Sequence, residues 1–167
     1  WILGITNAVN LIDGLDGLAT GVAIIALSTS ALTGYFFLNV TSTFISIMMA
    51  TLVAALLGFL PYNFHPAKIY LGDTGSLFIG FMISVFSLYG LKNATFITLI
   101  IPVIILGVPI TDTLYAILRR LLNKKPISQA DKHHLHHRLM QMGLTHRQTV
   151  LVIYGIALIF SFISLLY

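Results

Sequence analysis

Five long apolar runs, separated by short polar segments, dictate what this chain can fold into. They are Leu18–Leu38, Phe44–Leu60, Ser76–Leu91, Phe96–Leu118 and Thr149–Tyr167. A helix needs about 20 apolar residues to cross a bilayer, within a range of roughly 17–25. Four of the runs meet that length. Ser76–Leu91 is shorter and reaches it only if its helix starts near Ile69. Trp1–Leu11 reads as the last turns of a preceding span. The runs are continuous and lack the two-residue alternation of a barrel strand. The expected fold is therefore all-α: a polytopic transmembrane helical bundle of about five spans plus the end of a preceding one. Residues 1–167 form a single integral membrane domain in this reading. Because both ends fall inside apolar stretches, the chain reads as an internal piece of a longer protein.

Composition supports the lipid setting. Of the residues, 57% are hydrophobic and 8% charged, where a soluble domain is about a quarter charged. That excludes a water-soluble globule, a disordered tail and a nucleic-acid module. The chain has no cysteine, which excludes disulfides and thiolate metal sites.

The alternation of spans puts three loops on one side, 11–17, 61–75 and 119–148, and two short ones, 39–43 and 92–95, on the other. The first side carries Lys68, Arg119, Arg120, Lys124, Lys125, Lys132, Arg138 and Arg147; the second carries Lys92. By the positive-inside rule the first side is cytoplasmic. All six histidines fall there, as do Asp13, Asp16, Asp73 and Asp131. Asp112 lies within a span, about 9 Å from that side at helical rise. It either lines the mouth or pairs with an arginine. Pro102 and Pro109 should kink its helix. A transporter would place titratable groups at the midplane. Titratable groups gathered at one face point instead to chemistry at the cytoplasmic membrane surface.

Three polar clusters carry that chemistry. The first is Asn7-x-x-Asn10-x-x-Asp13-Gly14-x-Asp16-Gly17, with amides and carboxylates at every third position. One of them could cap a helix; four exceed what a cap needs. The second runs from Asn63-Phe-His-Pro-Ala-Lys68 through Tyr70 to Gly72-Asp73-Thr74-Gly75-Ser76. Asp73 stands between glycines at a helix start, either as a cap or as a carboxylate holding Mg²⁺ beside a phosphate. Lys68 either meets a phosphate or snorkels. Tyr70 either stacks on a base or belongs to the interfacial aromatic belt, and alone it fits the belt better. The third is Asp131-Lys132-His133-His134-Leu135-His136-His137-Arg138. Helical spacing would group several rings. Zinc is one reading, but the flanking cations and imidazole N–H donors suit a pyrophosphate better. His65 and His146 stand alone in sequence and read as structural.

These three motifs, in this order and separated by spans, resemble the polyprenyl-phosphate sugar-1-phosphate transferases (glycosyltransferase family 4), which include the phospho-N-acetylmuramoyl-pentapeptide transferases. Asn63-Phe-His-Pro-Ala-Lys68 and Asp131-Lys-x-His-Leu-His-His137 look closest to the bacterial branch that transfers N-acetylglucosamine 1-phosphate to undecaprenyl phosphate. That branch starts teichoic-acid linkage units and O-antigen chains.

The resemblance implies an enzyme of the bacterial cytoplasmic membrane. Its polyprenyl phosphate would attack the sugar-proximal phosphorus of a UDP-sugar, releasing UMP, with Mg²⁺ or Mn²⁺ as cofactor. It implies Asp73 as metal ligand, with Asp13, Asp16, His134, His136 and His137 catalytic. Asn10, Asn63, Lys68, Tyr70 and Arg138 would bind substrate, with Asp16, Asn63 and Tyr70 at the uridine. His133 falls outside the family pattern. The family's further Asp-Asp motif, on an earlier loop, is not in the sequence, so the general base stays unassigned. The implied partners are the UDP-sugar, undecaprenyl phosphate and membrane lipid, with no nucleic acid; a homodimer is left open. Phospho-N-acetylmuramoyl-pentapeptide transfer is the alternative within the superfamily. An anion or metal transporter gated by the histidines is the alternative outside it.

Overall fold

The computed structural model describes residues 1–37, 40–89, 102–123 and 134–166. Among these residues there is no strand. The helices are α1 (Ile2–Ile12), α2 (Leu18–Phe37), α3 (Val40–Asn63), α4 (Gly72–Tyr89), α5 (Gly107–Leu122), α6 (Leu135–Gln141) and α7 (His146–Leu165). The all-α expectation holds. Three described stretches are long and apolar enough to cross a membrane: Leu18–Phe36, Thr43–Asn63 and His146–Leu165. Their apolar residues lie all round the helix, as expected where lipid rather than water is the outer solvent.

α2 is the centre of the bundle. It packs against α1, α3, α4 and α7, and 61% of its spanning stretch is buried, against 17% for α3. α2 therefore faces protein while α3 presents most of its surface outward. On one side Ala23, Ala26 and Leu27 of α2 pack with residues of α1, α3 and α4. On the other, Ala19 and Val22 meet Val150, Ile153 and Ala157 of α7. Alanines at these seams let backbones approach where no hydrophobic effect drives helices together.

α1 and α4 run antiparallel. Trp1 Nε1 donates to Ser87 Oγ at 2.8 Å, and Asn10 Nδ2 donates to Ser76 Oγ at 2.8 Å. Between those contacts sits Gly80, where a Cβ would lie 2.8 Å from Thr6 Cα and 3.0 Å from its carbonyl oxygen. Only glycine allows α1 this close, and that closeness lets Asn10 reach the start of α4.

Several boundaries differ from the sequence reading. α3 continues through Pro61 to Asn63, so the loop that follows is 64–71 rather than 61–75. α1 reaches Ile12, and α5 runs to Leu122, past Arg119. The run Phe96–Leu118 is not one helix. Residues 102–105 are helical, Leu106 is a turn with φ −88° and ψ 20°, and α5 begins at Gly107. Pro109 has no N–H to give the Ile105 carbonyl, so the ladder breaks there instead of bending. Proline in the first turn of α5 costs little, because those N–H groups have no intrahelical partner. Lys92, Lys124, Lys125, Asp131, Lys132 and His133 lie outside the described residues.

Candidate active site

The C-terminus of α1, the N-termini of α2, α4 and α7 and the C-terminus of α3 meet at one end of the bundle. Asp13 ends α1, Asn63 ends α3 and Asp73 stands in the first turn of α4. Asn10 joins the first motif to the second: its Nδ2 donates to Asp73 Oδ1 at 3.1 Å as well as to Ser76. Ser76 is fully buried and donates to the Gly72 carbonyl. Asp73 is exposed and near enough to Asp13 for its charge to act there. Burial first, and the negative charge of Asp73 second, raise the Asp13 carboxyl to about 6. A partly buried carboxylate beside an exposed one forms a hard-oxygen pair suited to Mg²⁺, which takes one or two carboxylates plus substrate phosphate.

Asp13 and Asp16 line a cavity of about 160 Å³ with Gly14, Asn63, Tyr70 and Leu71. Asn63 is 2% exposed. Its Oδ1 accepts from Thr20 Oγ1 at 2.7 Å and its Nδ2 donates to the Ile69 carbonyl at 3.0 Å. An amide has two acceptor and two donor positions, so one of each remains. Asn63 thus holds the 64–71 loop as well as bordering the cavity. Tyr70 is 73% exposed at the rim, and Lys68 is exposed. Asn7 turns away and donates to the Leu3 carbonyl of its own helix.

Asp16 does not cap α2. Its Oδ2 accepts from His65 Nδ1 at 2.9 Å and from the Ala67 N–H at 3.1 Å. Partial burial pushes its carboxyl up, but these bonds, with the charges of His146 and His65, outweigh that and hold it below the usual carboxylate range. The His65 and His146 rings stack at 4.2 Å and 18°, and Arg147 Nε donates to the His65 carbonyl at 3.1 Å. These two histidines therefore do not stand alone. With Asp16 they form a group whose ligand atoms lie within 4.8 Å of one another. It is not arranged as a metal centre. A ring nitrogen bonds a metal in the plane of its ring, at about 2.0–2.1 Å, and two stacked planes have no such point in common. The group is a pin joining the 13–17 turn, the 64–71 loop and α7. A second tie is the Tyr154 O–H, which donates to the Gly17 carbonyl.

The histidine segment also differs from its expected spacing. His134 is extended, φ −63° and ψ 158°, and is the N-cap of α6; His136 and His137 fall in the first turn. Their rings still group: His134 and His136 at 5.9 Å, His136 and His137 at 4.2 Å. His136 is 3% exposed and reaches the first motif. A Cβ on Gly14 would lie 2.6 Å from its Nε2. Burial, then the neighbouring His137, lowers His136 to about 4. At neutral pH its ring is uncharged and has one N–H to donate. Arg138 stands over the Tyr115 ring at 5.8 Å. Thr111, Asp112, Tyr115, Leu135 and Arg138 line a second cavity of about 220 Å³.

Residues 1–91 match the family described as "Glycosyl transferase family 4". The chain belongs to this family. Over 162 residues this family 4 chain is 59% identical to the "Probable undecaprenyl-phosphate N-acetylglucosaminyl 1-phosphate transferase" of Bacillus subtilis, covering 96% of the chain and 44% of that relative. It is 36% identical to the "Decaprenyl-phosphate N-acetylglucosaminephosphotransferase" of Mycobacterium leprae, covering 91% and 42%. It is 34% identical to a "Phospho-N-acetylmuramoyl-pentapeptide-transferase" of Staphylococcus saprophyticus, covering 99% and 49%. The chain spans less than half the length of these curated relatives.

Proposed function

We propose that the protein transfers N-acetylglucosamine 1-phosphate from UDP-N-acetylglucosamine to undecaprenyl phosphate, releasing UMP, at the cytoplasmic face of a bacterial membrane. The observation that carries this reading is the meeting of Asn10, Asp13 and Asp73 with His136 at one end of an apolar bundle. Carboxylates for a cation and donors for phosphate lie together where a lipid headgroup can reach them. The 59% identity to the Bacillus relative favours this donor over a muramoyl-pentapeptide one.

Phosphoryl transfer needs positioning and charge neutralisation more than covalent protein chemistry. An oxygen of the lipid phosphate bonds to the sugar-linked phosphorus, and the bond to the UMP oxygen breaks. Asp73 and Asp13 would hold Mg²⁺, which would neutralise phosphate charge when bound; Asn10 keeps Asp73 oriented. Asp16, Asn63 and Tyr70 receive the uridine. His136, His137 and Arg138 donate to phosphate oxygens, His134 is held beside them, and Lys68 attracts phosphate at the rim.

The test is UMP release and lipid-product formation by the full-length protein with undecaprenyl phosphate and Mg²⁺. UDP-N-acetylglucosamine should serve, and UDP-N-acetylmuramoyl-pentapeptide should not. Turnover with the pentapeptide donor alone would move the protein to the other branch. No UMP release with any UDP-sugar would overturn the transferase reading.

A further inference from the structure

Asp112 of α5 and His134, 22 residues later, are both buried, at 8% and 7% side-chain exposure. Asp112 Oδ2 meets His134 Nδ1 at 2.9 Å, and its Oδ1 accepts the Leu135 N–H at 2.9 Å. One carboxylate thus holds a ring and the adjoining backbone. His134 makes no side-chain capping bond to α6. Asp112 supplies that cap from another helix, and its negative charge suits the helix N-terminus.

An ionised carboxylate only accepts hydrogen bonds, so His134 must donate from Nδ1. The neutral ring then carries its proton on Nδ1 and its lone pair on Nε2. This is the arrangement by which a carboxylate sets the tautomer and orientation of a working imidazole. The His134 ring in turn lies parallel to His136, within 3°, and His136 rests on Gly14. Asp112 therefore stands at the base of a chain of contacts that ends at the Asp13 turn.

We infer that Asp112 is a positioning residue: it fixes the tautomer of His134 and docks the start of α6 on α5. The inference rests on the transferase reading for its kinetic consequence, though not for its structural one. Asp112→Asn keeps the shape and one acceptor for Leu135 N–H, but offers an N–H to His134 Nδ1. That moves the ring proton to Nε2.

The experiment is ¹⁵N-histidine NMR of the full-length protein, recorded above the range in which imidazoles ionise, with His134→Ala identifying the signal. It is combined with kinetics per mole of folded enzyme. Wild type should show His134 protonated on Nδ1, and Asp112→Asn should show it on Nε2. The variant should lose roughly 10–100-fold in kcat, the usual cost of losing the partner that orients a working imidazole, with KM for the sugar nucleotide little changed. Asp112→Asn/His134→Ala should be no slower than His134→Ala alone. An Nε2–H signal in wild type overturns the inference even if Asp112→Asn fails to fold; so do an unchanged tautomer in the variant and additive losses in the double variant. A protein that turns over no UDP-sugar would sink the transferase reading, while the spectra still decide the role of Asp112.

Discussion

Asn10 on α1 and Asp73 on α4, 63 residues apart in sequence, share a hydrogen bond of 3.1 Å at the end of an antiparallel helix pair. The bond exists because Gly80 lets the two helices touch. It leaves Asp73 restrained on one oxygen and open on the other. In the proposed enzyme, Asn10 is thus a partner that orients a metal ligand. Asn10→Ala should weaken the Mg²⁺ requirement curve by roughly 10–100-fold, the usual cost of losing such a partner. Asp73→Asn keeps size but loses the anionic ligand, and should cut turnover further. An unchanged Mg²⁺ titration in both would remove the pair from the site.

Asp13 gives a pH signature. Burial and the Asp73 charge raise its carboxyl to about 6. Its folded value therefore lies above its unfolded one. The protonated form favours the fold, and that contribution fades as pH rises from about 4 through about 6. A bound cation favours the opposite, ionised form, so the signature is read in metal-free protein. Removing the Asp73 charge lowers the Asp13 value, though burial keeps it above an ordinary aspartate. Labelling by a hydrophobic carbodiimide, which needs a protonated carboxyl, should be half-lost near pH 6 in wild type. In Asp73→Asn it should be lost at a lower pH. Identical profiles would show that the two carboxylates do not feel each other.

What the sequence revealed followed from periodicity and motif order. The apolar runs gave the helical class, and the parity of spans grouped Asp13, Asp16, Asp73 and the histidines at one end before any coordinates. Contacts between distant residues were not legible. Nothing in spacing tells that Asn10 spans to Ser76, or that His65 and His146, 81 positions apart by their numbers, stack. The break at Leu106 was half legible: Pro109 announced a disturbance, but whether a helix bends or ends depends on what the freed carbonyl meets. Thr145 and Gln148 carried a readable signal that the sequence reading passed over, a capping box that starts α7.

The Asp16–His65 pin makes a kinetic prediction. His65→Ala leaves Asp16 with the Ala67 N–H and loosens the 64–71 loop. A hydrogen bond to a charged group contributes about 1.5–3 kcal/mol. KM for the UDP-sugar should rise roughly tenfold or more, with kcat falling less. His146→Ala removes the stacked ring and its electrostatic support of Asp16 but leaves the His65–Asp16 bond, and should do less than His65→Ala. Because the two rings stack, purified protein should hold no zinc through them. Stoichiometric zinc that disappears in His65→Ala and His146→Ala would turn the pin into a metal site.

Topology rests on eight cations against one. In an otherwise cysteine-free protein, cysteines at Thr41 and Asn93 should react with an impermeant maleimide on intact cells. A cysteine at Lys68 should react only after the membrane is opened. Labelling of Lys68→Cys from outside would reverse the proposed face of the site.

Gly14 tests whether the third motif works through the first. His136 Nε2 lies where a Gly14 side chain would begin, 2.6 Å from the added Cβ. His136 is buried, so its ring has little room to yield, and Gly14→Ala must push it off the Asp13 turn. Gly14 is itself exposed, so the fold should survive, with a change in melting temperature of a few degrees at most. Activity should drop by about as much as in His136→Ala, roughly 10²–10³ in kcat/KM if the ring is a phosphate donor. The double variant separates the explanations. If Gly14 acts by seating His136, Gly14→Ala/His136→Ala is no slower than His136→Ala, because the ring that needed the space is gone. If Gly14 acts through the backbone of the Asp13 turn, the two losses multiply. Multiplied losses would leave His136 as a packing residue beside the site and uncouple the histidine segment from the carboxylates.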